Sequence, residues 1–173
     1  MSEVKRLAAG LRFSSAFAGQ MLDEFQNDED WVSRPHDKAN HALWFMEHIG
    51  VADNSMIGML DPLKMDPRSD MKELFGGRST PSNDLSDYPP PAEVRAWKDD
   101  RRQVLLKLVA DLSDEDLDRP TPDSAPPFMP DVGTALQFMA WHEGLHAGQI
   151  TVPHRALGNA PIAGRPAKER TNA

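Results

Sequence analysis

Leu136-Gln-Phe-Met-Ala-Trp-His-Glu-Gly-Leu-His-Ala-Gly-Gln-Ile150 is a strongly apolar stretch with two histidines four residues apart, His142 and His146. An α-helix turns about 100° per residue, so positions i and i+4 stack on one face. Two imidazoles stacked in this way can converge on a single metal ion. Three protein ligands with one open position is the usual form of a catalytic zinc-type centre. The pair alone is a weak signal, because histidines beside an apolar face also serve as buried side chains bonded to backbone or water. The letters His142-Glu143-Gly144-Leu145-His146 also fit the H-E-x-x-H of zinc peptidases, with Glu143 as general base. That reading requires a third ligand downstream and a sheet edge for a peptide, and no strand-like run lies nearby.

Working outward, the spacing predicts four long helices, over residues 4–25, 38–60, 91–112 and 132–157. In the first, Leu7, Leu11, Phe17, Met21, Leu22 and Phe25 form an approximate apolar stripe. The second stops before Asp61-Pro62. The third follows the stiff entry Pro89-Pro90-Pro91 and presents Val104, Leu105, Leu108, Val109 and Leu112 to a core. The fourth has Asp131 as N-cap and Gly158 as stop, with Pro153 marking a kink or the last regular turn. No repeat and no strand pattern competes, so the expected fold is all-α, a four-helix bundle in one domain over 1–160.

A long crossover, 61–90, joins the second and third helices and is rich in Pro, Gly, Asp and Ser. It contains a short helical possibility at 71–75. A solvated crossover is the reading favoured for this link, with a lid over one end of the bundle as the alternative. Residues 120–130 carry too many prolines for helix and are expected to run extended, anchored by Phe128 and Met129. The tail 161–173 is expected to be disordered.

The third ligand is sought in Asn40-His-Ala-Leu-Trp-Phe-Met-Glu-His-Ile-Gly50. His41 and His48 are seven residues apart, two helical turns, and share a face, so either can reach a site between this helix and the one carrying His142. His41 also reads as a polar residue at a helix N-terminus. Glu47 reads as a surface group or one that supports a ligand, and Glu143 as a candidate base or hydrogen-bond acceptor. Asp53 and Asn54 can orient a ligand ring, and Gln149 can bond within the bundle. His36 and His154 read as loop and helix-end residues, and Trp44 and Trp141 as core, with the wall of a pocket as the alternative for either.

The chain carries 19 basic and 27 acidic residues, a net charge of −8, which disfavours nonspecific binding to nucleic acid or to anionic membranes. No apolar run approaches the ~20 residues of a membrane span. The N-terminus, Met1-Ser-Glu-Val-Lys-Arg-Leu7, lacks the apolar core of a signal peptide. The expected location is the cytoplasm. With no cysteine, the chain has neither disulfides nor a thiol nucleophile or ligand of its own.

Phe45-Met-Glu-His-Ile-Gly50 resembles the second helix of the DinB-like, damage-inducible family. His142 to Ile150, followed by Arg155-Ala-Leu-Gly158, resembles its fourth, and Leu112-Ser-Asp-Glu-Asp-Leu-Asp-Arg-Pro120 its acidic loop. The likeness runs from about Leu7 to Gly158. Carried over residue by residue, it implies metal ligation by His48, His142 and His146. It implies a four-helix bundle with a divalent metal, zinc or nickel, and a homodimer. The family is similar in fold to bacillithiol-dependent S-transferases and mycothiol-dependent maleylpyruvate isomerases, which points to a low-molecular-weight thiol as cosubstrate. The resemblance also argues against the peptidase reading. Three functions stay open at this level: a thiol transferase, a hydrolase using metal-activated water, and a non-catalytic metal-binding or stress-interaction protein.

Overall fold

Side chains that satisfy free backbone N–H groups set where the long helices begin. Ser2 Oγ accepts from the Lys5 N–H at 3.4 Å and opens α1, Glu3–Leu22. Asp131 Oδ1 accepts from the Thr134 N–H at 2.7 Å and opens α6, Val132–Ala156, as expected from sequence. Pro91 occupies the first turn of α5, Pro91–Ala110, where no N–H is needed. The helix read as starting at residue 38 begins later, as α3, Ala42–Leu60. Its cap is His41, whose Nδ1 accepts from the Trp44 N–H at 3.0 Å. The computed structural model describes residues 1–163. Two short helices complete the set, α2, Asp28–Val32, and α4, Ser69–Phe75.

Pro153 lies inside α6, which continues to Ala156 and stops at Gly158 in the left-handed region, φ 88°. Helix α1 packs along α6 and α3 along α5. Contacts of α3 with α6 and of α1 with α5 close the ring. The fold is therefore the all-α, four-helix bundle, with no strand among the described residues beyond one isolated bridge between Pro120 and Asp131.

The core is two apolar clusters separated by a charged layer. One holds Met21, Leu22, Phe45, Met46, Ile49 and Ile150, the other Leu11, Met56, Ile57, Leu105, Leu136 and Met139. Between them, each long helix contributes one polar residue: Ser14, Asp53, Arg102 and Glu143. Arg102 donates to Asp53 through Nε (2.6 Å) and Nη2 (3.1 Å). Its Nη1 donates to Glu143 Oε2 and to the Leu11 carbonyl, both at 3.0 Å. Ser14 Oγ donates to the same Glu143 oxygen at 2.7 Å. Burial works against the Arg102 charge, but the two carboxylates outweigh it and raise the pKa of the guanidinium.

The link 61–90 is not the solvated crossover that its composition suggested. Met71 and Phe75 of α4 are fully buried against the cluster that includes Phe45 and Met46. Apolar side chains spaced by one helical turn gave the segment a face to bury. Beyond α4, Trp44 Nε1 donates to Ser79 Oγ at 2.7 Å, and the Tyr88 hydroxyl meets His41 Nε2 at 3.3 Å. In the 120–130 segment Met129 is buried, but Phe128 is 57% exposed, touching the bundle through the Phe138 ring. Of the tail, Ile162 is buried in the core, and 164–173 lie outside the described residues.

Candidate metal centre

His48 projects from α3 and His142 and His146 from successive turns of α6. The structure brings these three together. One nitrogen from each lies within 4.8 Å of the other two. His142 Nε2 is 3.3 Å from His48 Nε2 and 3.0 Å from His146 Nε2. The rings meet edge-on, at 62°, 74° and 90° to one another, so their nitrogens rather than their faces converge.

The far side of two rings fixes their tautomers. His48 Nδ1 lies 2.7 Å from the Phe75 carbonyl, which can only accept, so the proton is on Nδ1. His146 Nδ1 lies 2.9 Å from Gln149 Oε1, with the same consequence. Both neutral rings therefore aim an Nε2 lone pair at His142 Nε2. One N–H on His142 can satisfy only one of them, and His142 Nδ1 is buried without a partner. A cation among the three nitrogens resolves this conflict of lone pairs, so the donor set fits a divalent metal of the borderline class. Carbonyl and amide acceptors behind metal-binding imidazoles are the usual means of orienting them.

Burial keeps the rings neutral. It lowers the pKa of His48 to about 4 and of His142 to about 3, and that of His146 also falls. Aromatic rings wall the cluster. Trp44 stacks on His48 at 4.3 Å and 12°, and Phe138 on His142 at 5.3 Å and 20°. His142 and His146 remain partly exposed, which leaves the cluster open on one side.

The remaining residues singled out from sequence take other places. His41 caps α3 and contacts Tyr88. Glu143 is turned into the charged layer, where its Oε2 accepts hydrogen bonds from Ser14 and Arg102. The 100° step from His142 carries it to a second interior face of α6. Asp53 faces Arg102 rather than a ligand ring, and Asn54 bonds the backbone of Asp66 at 2.8 and 2.9 Å. Glu47 is not a surface group but fully buried. Neither of its carboxylate oxygens has a partner, and burial pushes its pKa up to about 9. His154 is buried and pairs with Glu24 at 2.8 Å, whereas Trp141 is 58% exposed. Phe75, whose carbonyl orients His48, carried no sequence signal for that role, because a backbone group can do it from any residue type.

No curated protein shows significant similarity to the chain. The family model of the DinB superfamily matches residues 17–150, a span that holds His48, His142 and His146 and most of the bundle. The chain thus belongs to the DinB superfamily.

Proposed function

We propose that His48, His142 and His146 hold one divalent cation, zinc or nickel. We propose further that the protein is a cytoplasmic, metal-dependent enzyme that transfers a low-molecular-weight thiol to an electrophile. The observation that carries the metal reading is the convergence of three Nε2 atoms, with the opposite nitrogens of His48 and His146 already engaged. When bound, the cation would supply Lewis acidity, favouring at neutral pH the thiolate that a free thiol with pKa about 8.5 forms poorly.

The chain's own groups divide the remaining work. Phe75 and Gln149 hold two of the rings in the correct tautomer, and Trp44 and Phe138 exclude water from their faces. The sulfur must come from outside, because the chain has no cysteine. Membership of the DinB superfamily, whose fold the sequence resemblance relates to thiol-dependent transferases, points to the same choice. The peptidase reading loses its base, because Glu143 is held by Arg102.

Elemental analysis of tag-free protein tests the metal. About one divalent ion per chain is expected, lost in His48→Ala and His142→Ala but retained in His41→Ala. Cobalt-substituted protein tests the reaction class. Its absorption spectrum should change on addition of a low-molecular-weight thiol, and a spectrum indifferent to every thiol tried would remove the transferase reading.

We also propose that the chain pairs with a second copy of itself. In support, Phe13 and Trp141 are 73% and 58% exposed at the edge of a groove between α1 and α6. A Cβ added at Gly144 or Gly148 in that groove would meet nothing within 4 Å, so there is room for a partner's rings.

A further inference from the structure

Gln149 does more than hold His146. It also lines a cavity of about 380 Å³ on the far side of that ring, a volume in the range of small-molecule sites. The walls are Pro35 and Val152, and the other polar side chains are His36, Lys38 and Asn40.

The acceptors of this lining are largely occupied. His36 Nδ1 accepts from the Lys38 backbone N–H at 3.3 Å, which leaves the other ring nitrogen as an N–H donor. Gln149 Oε1 accepts from His146 at 2.9 Å and from Asn40 Nδ2 at 3.5 Å, which leaves the Gln149 amide N–H groups free. The Lys38 ammonium makes no ion pair among the described residues. No Asp or Glu lines the cavity, although acidic residues outnumber basic ones by 27 to 19 in the chain. A concave site that offers an ammonium and several N–H donors, with no carboxylate in its lining and Asp37 lining the adjoining groove with Arg34 instead, is complementary to an anion.

We propose that this cavity binds the carboxylate of a small organic acid, with Lys38 as the charge partner and Asn40, Gln149 and His36 as hydrogen-bond donors. Through Gln149 the cavity adjoins the histidine cluster, so it serves as the anchoring subsite for the substrate. That second statement rests on the proposed metal-dependent activity; carboxylate binding itself does not. Gln149 is then a positioning residue shared by the anchor and by His146.

The test uses the full chain as purified, with succinate as probe and its neutral diamide, succinamide, as control. The side-chain amide resonances of Asn40 and Gln149 report the binding. Succinate should shift both in a saturable manner, and succinamide should not. The exposed substitution Lys38→Glu should weaken binding by about tenfold or more, as expected for loss of a charge-assisted contact. Equal shifts from the two probes, no shift, or unchanged affinity in Lys38→Glu would overturn the subsite. Shifts confined to residues around His48 and His142 would do the same. Metal content measured on the same sample separates the two readings. Succinate binding by protein that takes up no metal would overturn the proposed reaction and leave the subsite. Metal-loaded protein blind to succinate would overturn the subsite alone.

Discussion

Arg102 sits 3% exposed between Asp53 and Glu143, both at most 1% exposed. Removing one member of a buried ionic set leaves the others charged and unpaired, at a cost of about 3–5 kcal/mol. Arg102→Ala should therefore lower the melting temperature by about 10 °C, as read by calorimetry, at the 2–4 °C per kcal/mol typical of a chain this size. Replacing Asp53, Arg102 and Glu143 together by apolar residues of similar volume should restore most of the loss. His41 makes a second prediction. Burial, aided by nearby Arg34, lowers its pKa from 6.5 to about 4. Between those values the unfolded chain takes up a proton that the folded chain refuses, so stability falls as pH drops through that window. His41→Asn keeps a capping side chain and removes the proton site. Urea unfolding at pH 7.5 and pH 4.5 should show a shallower acid loss for this variant, by an amount on the order of 2 kcal/mol. The pair His142 and His146 was legible in sequence because helical spacing is local information. The offset of Glu143 from His142 was legible too, but not its partners, because rotation by one residue normally leads out of a core, whereas in α6 it leads to a second buried face.

Helix α4 was foreseen as a short turn of helix, but not its duty. Its Met71 and Phe75 side chains anchor it on the bundle, and the last carbonyl of α4 then meets His48 Nδ1 at 2.7 Å. Phe75→Ala should cost about 3–5 kcal/mol through the cavity it leaves. If α4 orients His48 as proposed, zinc affinity should fall by about 10–100-fold in a competition titration, the range for loss of a group supporting a ligand. A variant that lost stability but kept full zinc affinity would show that α4 only packs. Composition could not reveal this, because Pro, Gly and Ser around the segment indicate turns without saying what the turns bring into contact. The boundaries of α5 and α6 were legible for the opposite reason: Pro91, Asp131 and Gly158 are punctuation with a direct backbone effect.

At the scale of the molecule, the four long helices and their all-α arrangement followed from apolar periodicity. The charged layer did not, because its members lie far apart in sequence and none shows locally that it pairs with the others. Trp141 is not the core residue that sequence favoured but takes the alternative place, lining the α1–α6 groove at its exposed rim. Trp141→Glu should convert a proposed dimer into monomer in sedimentation velocity runs while the circular dichroism spectrum stays helical; a wild-type monomer at high concentration would dispose of the pairing. No described helix is long and apolar enough to cross a membrane. The charged layer has one further effect. Apolar side chains in a bundle tolerate a slide of one helix past another, since oil meets oil in either alignment. A guanidinium held by Asp53 of α3 and Glu143 of α6 does not. It acts as a vernier mark that sets the axial alignment of three helices. His142 is next to Glu143, and His48 lies five residues, between one and two turns, before Asp53. The same mark that aligns the helices thus brings nitrogens from two of them to a common point.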